Sequence, residues 1–124
     1  MSGPVIQPGD VVRILFPYSD PPKRKICLCV CIEAGLFLVI SSDPYRRAPA
    51  DSQITVFKQE LACLEYDSVL DASKAYRFEM ATIQEATKGG VFRLADSALE
   101  RIKFRVQGQG YLPREHKRLV LDNL

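Results

Sequence analysis

One histidine, no cysteine pair at CxxC spacing and no apolar run long enough to cross a bilayer narrow the functions open to this 124-residue chain. His116 stands alone, so neither a paired-imidazole metal site nor a histidine acid–base couple is available. The four cysteines are Cys27, Cys29, Cys31 and Cys63. The first three alternate within one apolar run and are expected on one face of a strand, where they cannot converge tetrahedrally on zinc. They read as free thiols packed as small hydrophobes, with no metal and no cofactor. A net charge of +2 is too small to mark a nucleic-acid binder, so any such case rests on where the cations cluster. The N-terminus lacks a signal-peptide layout, which leads to the expectation of a cytoplasmic protein with no membrane partner.

What is present is apolar and strand-like. Hydrophobic residues make up 47% and charged residues 26%, the balance of a globular domain. The chain is organised around Lys23-Arg24-Lys25 followed by the apolar run Ile26–Ile32, and an answering run Leu36–Ile40 that stops at Ser41-Ser42. With Glu33-Ala34-Gly35 as the turn, the two runs form a hairpin. The three cations then stand beside the two hydroxyls at its open end. That pairing suits a phosphate, whose oxygens accept charge-assisted hydrogen bonds.

In chain order, Pro8-Gly9-Asp10 is a turn and Val11–Phe16 a β-branched strand. Pro17–Pro22 is a loop, and the double-sided apolar character of the next two strands places them centrally in a sheet. Asp43–Asp51 is a second loop carrying Tyr45, Arg46 and Arg47. Gln53–Phe57 is a short strand, and Leu61–Tyr66 is open between a helical turn and a strand. Ser68–Asp71 starts another segment, Lys74–Met80 alternates at strand period, and Thr82–Glu85 reads as further strand. From Leu94 the period changes: Ala98, Leu99, Ile102 and Val106 recur as on a helix face, with Ser97 and Glu100 as a capping box. Residues 107–124 form a basic extension read as a strand, a helix or a partner-binding tail. Roughly five or six strands and one late helix predict a mainly β domain over residues 1–124, a small, partly open barrel with a helix packed on it.

Over residues 8–106 the order of motifs resembles the MazF/PemK toxins of toxin–antitoxin pairs. The residues that carry the resemblance are Gly9-Asp10-Val11-Val12, the Pro-rich loop, a basic residue leading into an apolar strand, and a strand ending Ile40-Ser41-Ser42. They continue with Ser68–Asp71, Lys74–Phe78 and Ala86–Val91 ahead of the closing helix. The resemblance implies an SH3-like barrel, shared with the gyrase poison CcdB, and a homodimeric, metal-independent endoribonuclease. Such an enzyme cuts single-stranded RNA and is inhibited by a cognate antitoxin. The family's Arg-Pro dipeptide falls on Lys25-Ile26, with Arg24 one position early, and its strand-ending Thr falls on Ser41.

On this reading Arg24 or Lys25 is the cation that stabilises charge on phosphorus, and Ser41 orients the phosphate or relays a proton. Lys23, Ser42, Tyr45, Arg46 and Arg47 are candidate RNA contacts through charge and stacking. Asp20 is a weaker candidate base, and Glu33 lies at the far hairpin end. The bland readings are a solvated Lys-Arg-Lys loop, a strand-ending Ser-Ser-Asp-Pro turn and exposed arginines. The competing function is a non-catalytic binding module on the same fold.

Overall fold

β-Branched and long apolar residues alternate along the first strands, and the chain pairs them into one antiparallel sheet. The computed structural model describes residues 6–16, 21–42 and 49–124. Six strands, β1 (Asp10–Phe16), β2 (Lys23–Cys31), β3 (Leu36–Ser41), β4 (Gln53–Val56), β5 (Ser68–Arg77) and β6 (Phe92–Arg93), lie in the order β4-β5-β3-β2-β1-β6. The sheet curls into a half-barrel, the partly open mainly β fold expected. Three helices accompany it: α1 (Met80–Thr87), α2 (Asp96–Gln107) and α3 (Arg114–Asn123).

The pleat sorts side chains between two cores. Val11, Leu28, Val30, Leu36, Leu38 and Ile40 point into the concave side, closed by Leu99, Ile102 and Val106 of α2. Val12, Ile14, Cys27, Cys29, Phe37 and Val39 point the other way, under Ile83 and Ala86 of α1. Each fully buried Leu, Ile or Val contributes about 1.5–3 kcal/mol through removal from water. Strands β2 and β3 are therefore covered on both faces, which is why they read as continuous apolar runs.

Several local expectations change. A register shift between Cys29 and Cys31 turns Cys31 onto the concave side, away from Cys27 and Cys29. The bulge inserts one residue, so strict alternation fails there. All four cysteines are free. Burial pushes the Cys27 and Cys29 thiols up to about 12, which keeps them protonated at neutral pH.

Residues 82–85, read as strand, belong to α1, because Ile83 and Ala86 sit three apart on one buried face. Ser97 does not cap α2; the N-cap is Ala95, and the Ser97 hydroxyl donates to Glu60 Oε2 at 2.6 Å. The basic extension folds back as α3, and Leu112 and Val120 join the concave core. Gln109, also buried, holds this return by donating from Nε2 to the Ala72 carbonyl at 2.8 Å.

The β2–β3 turn depends on Gly35. Its φ is +62°, and a Cβ there would meet the Phe78 carbonyl oxygen at 2.3 Å. The Phe78 amide in turn donates to the Gly35 carbonyl at 2.9 Å, tying the turn to the end of β5. We expect Gly35→Ala to destabilise the fold by about 2 kcal/mol, from left-handed backbone strain together with the clash. A urea melt matching wild type would refute this role for the turn.

Candidate functional site

The open end of the β2–β3 hairpin forms one wall of a cleft of about 520 Å³. Ile26 pairs with Ile40, so the register carries Lys25 to Ser41 across the strands. Lys23, Arg24, Lys25, Ser41 and Ser42 all line the cleft. The cations and hydroxyls singled out in the sequence are thus neighbours in space. Tyr45, Arg46 and Arg47 fall at 43–48, outside the described residues, as does Asp20.

The strand pleat divides the basic triplet. Lys23 and Lys25 share one face of β2, and Arg24 takes the other, with Ile26. The Lys25 ammonium stands over the Phe16 ring, 5.0 Å from its centroid, and the residue is half-buried. A cation held on an aromatic face has one side already occupied. Arg24 is exposed, and its planar fork is of a shape that binds two phosphoryl oxygens at once. It also borders a second groove, where Leu15, Arg77 and α1 meet.

Sequence reasoning missed the rest of the cleft. Arg13 projects from β1 next to this wall, its guanidinium 5.6 Å from the centre of the Phe92 ring. The lining also takes in Cys63–Tyr66 of the loop leading into β5, and Ser68 at the start of that strand. Two buried leucines, Leu61 and Leu64, pin that loop into the concave core. Asp67 Oδ1 accepts from the Lys58 amide at 2.7 Å, and the Ser68 hydroxyl donates to the Tyr66 carbonyl at 3.0 Å. With its leucines inside and its backbone tied, the loop turns Glu65 and Tyr66 outward; Tyr66 is 67% exposed. Cys63 is half-buried; burial raises its thiol pKa, and the charge of Arg13 pulls against that rise.

Among the described residues the lining therefore carries four cations, Arg13, Lys23, Arg24 and Lys25, against one carboxylate, Glu65. The hydroxyls of Ser41 and Ser42 stand among them, whereas that of buried Ser68 is spent on the Tyr66 carbonyl. Such a surface attracts a polyanion and can hydrogen-bond its oxygens. An exposed aromatic ring at its edge adds a stacking surface. His116 lies away from the cleft on α3, its Nδ1 buried and without a hydrogen-bond partner among the described residues. Among those residues, no three His, Cys, Asp or Glu side chains are grouped to hold a metal ion, and no helix is long and apolar enough to cross a membrane.

No protein-family model matches the chain, and neither a curated protein nor a solved structure shows a significant match to it.

Proposed function

We propose that the chain is a toxin-type endoribonuclease that cleaves single-stranded RNA in the basic cleft without a metal. The observation that carries this reading is the meeting of Arg24, Lys25, Arg13 and the hydroxyls of Ser41 and Ser42 in one cleft at the open end of the β2–β3 hairpin. The ribose 2′-oxygen forms a bond to phosphorus as the bond to the 5′-oxygen breaks. The 2′-hydroxyl gives up its proton and the leaving oxygen takes one. The products carry a 2′,3′-cyclic phosphate and a free 5′-hydroxyl. Arg24 stabilises the extra charge on the phosphoryl oxygens, supported by Lys25, while Ser41 orients the phosphate. Lys23, Ser42 and Arg13 hold neighbouring phosphates.

A mixed single-stranded RNA pool incubated with the protein in chelator should yield fragments with those ends. Binding without fragments would transfer the reading to the alternative, a non-catalytic binding module on the same fold. One observation favours that alternative: among the described residues, no histidine and one carboxylate, Glu65, line the cleft, so those residues supply no acid–base pair there.

The natural inhibitor would be an acidic antitoxin, which a cation-rich cleft attracts. The protein would act as a homodimer, covering apolar surface such as Phe104, which is 79% exposed on α2. Sedimentation at micromolar concentration should give twice the chain mass; a monomer throughout would overturn the dimer.

A further inference from the structure

Glu65 is the odd group in the cleft. A carboxylate among four cations weakens the cleft's hold on phosphate, since like charges repel. Among the described residues it also has no close ion pair of the kind that ties Glu60 to Arg101. Next to it in the chain stands Tyr66, whose ring is two-thirds exposed on a loop held by buried leucines. A negative acceptor and a flat ring, consecutive in the chain and lining the same cleft as the cations, fit a nucleobase better than a phosphate. Bases of single strands are recognised in this way, by stacking on aromatic rings and hydrogen bonding on their Watson–Crick edge.

The carboxylate also selects among bases. It has acceptors only and is best matched by two adjacent donors. Guanine presents N1–H beside its 2-amino group. Cytosine and adenine each set one amino donor beside a ring acceptor, and uracil sets one N–H between two carbonyls. We propose that Glu65 and Tyr66 form a base-reading wall that favours guanine next to the phosphate bound by Arg24. This rests on the ribonuclease reading for its substrate but is tested separately from it.

The probe is a set of short RNAs identical except for one nucleotide beside a 2′-O-methylated, uncleavable linkage, with binding measured at fixed salt. The same set with an ordinary linkage reports cleavage. Wild type should bind the guanine RNA about tenfold or more tightly than the uracil RNA, and inosine, which lacks the 2-amino group, should lose most of that gain. Glu65→Gln should erase the preference while leaving uracil RNA bound as well or better, because a negative charge has left the cleft. Tyr66→Ala should weaken every RNA by about tenfold, and Tyr66→Phe should restore it. A preference unchanged in Glu65→Gln overturns the inference. So does an equal loss of cleavage across all four bases with binding intact, which would make Glu65 part of the proton-transfer machinery. Binding with the expected preference but no cleavage by wild type sinks the ribonuclease reading alone. No RNA binding at all sinks both.

Discussion

Arg24→Ala is expected to slow single-turnover cleavage of a defined RNA by about a hundredfold or more, the loss typical when a group placed on developing charge is removed. That factor corresponds to about 2.7 kcal/mol of transition-state stabilisation. The expectation follows from the geometry of the triplet. Arg24 is exposed, lines the cleft and has a fork that can bind two phosphoryl oxygens at once. Lys25 stands over the Phe16 ring and offers a point charge, so Lys25→Ala should cost less, about tenfold. Ser41→Ala should lower the rate with little change in RNA affinity. Arg24→Lys separates charge from shape: recovery of only part of the rate would show that the fork matters. Because Arg24 is a surface side chain, its replacement should leave the melting temperature within a degree or two. If wild type cleaves and Arg24→Ala, Lys25→Ala and Ser41→Ala all keep its rate, the cleft is not the active site.

The central hairpin was legible in the sequence because both its strands are buried on two faces and leave uninterrupted apolar runs, Ile26–Ile32 and Leu36–Ile40. The change of period at Leu94 marked α2, which runs Asp96–Gln107 and buries the periodic residues Ala98, Leu99, Ile102 and Val106. What was illegible was tertiary. The capping box at Ser97 and Glu100 has the right spacing, yet the Ser97 hydroxyl is drawn to Glu60, 37 residues away. The bulge at Cys29–Cys31 leaves no mark in composition, and it undoes the shared face of three cysteines. Residues 82–85 are too short for their period to separate strand from helix.

The cleft divided in the same way. The basic triplet and the two serines are local and stand out, and the hairpin register brings them together. Arg13, Glu65 and Tyr66 reach the cleft only through strand pairing and through the burial of Leu61 and Leu64. An isolated exposed tyrosine beside a glutamate carries little signal in a sequence, where the same pair reads as ordinary surface.

Glu60→Gln is expected to destabilise the fold by about 2–3 kcal/mol at neutral pH, and the penalty should vanish in acid. Glu60 follows β4, its side chain only 8% exposed. Arg101 of α2 meets it with both guanidinium amines, Nη1 lying 2.8 Å from Oε2. The Ser97 hydroxyl and the Phe57 amide also donate to the carboxylate, at 2.6 and 2.9 Å. Arg101 Nη2 reaches on to the Thr55 carbonyl at 2.8 Å, so one ion pair fastens α2 to the β4 edge. Led by the Arg101 hydrogen bonds, these partners hold the Glu60 carboxyl down at about 2. In the unfolded chain it titrates near about 4.3. The unfolded state therefore takes up a proton first, and stability falls as pH drops. The contribution is complete above about pH 5, shrinks through the acid range and is gone near pH 2. The gap between about 4.3 and about 2 is worth about 3 kcal/mol, reduced somewhat because Arg101 keeps contact with water. Gln preserves the shape and one acceptor but not the charge. Urea melts of wild type and Glu60→Gln at a series of pH values should converge as pH falls from 5 toward 2. Curves that stay parallel would mean the loss comes from packing, and that this ion pair does not hold α2 in place.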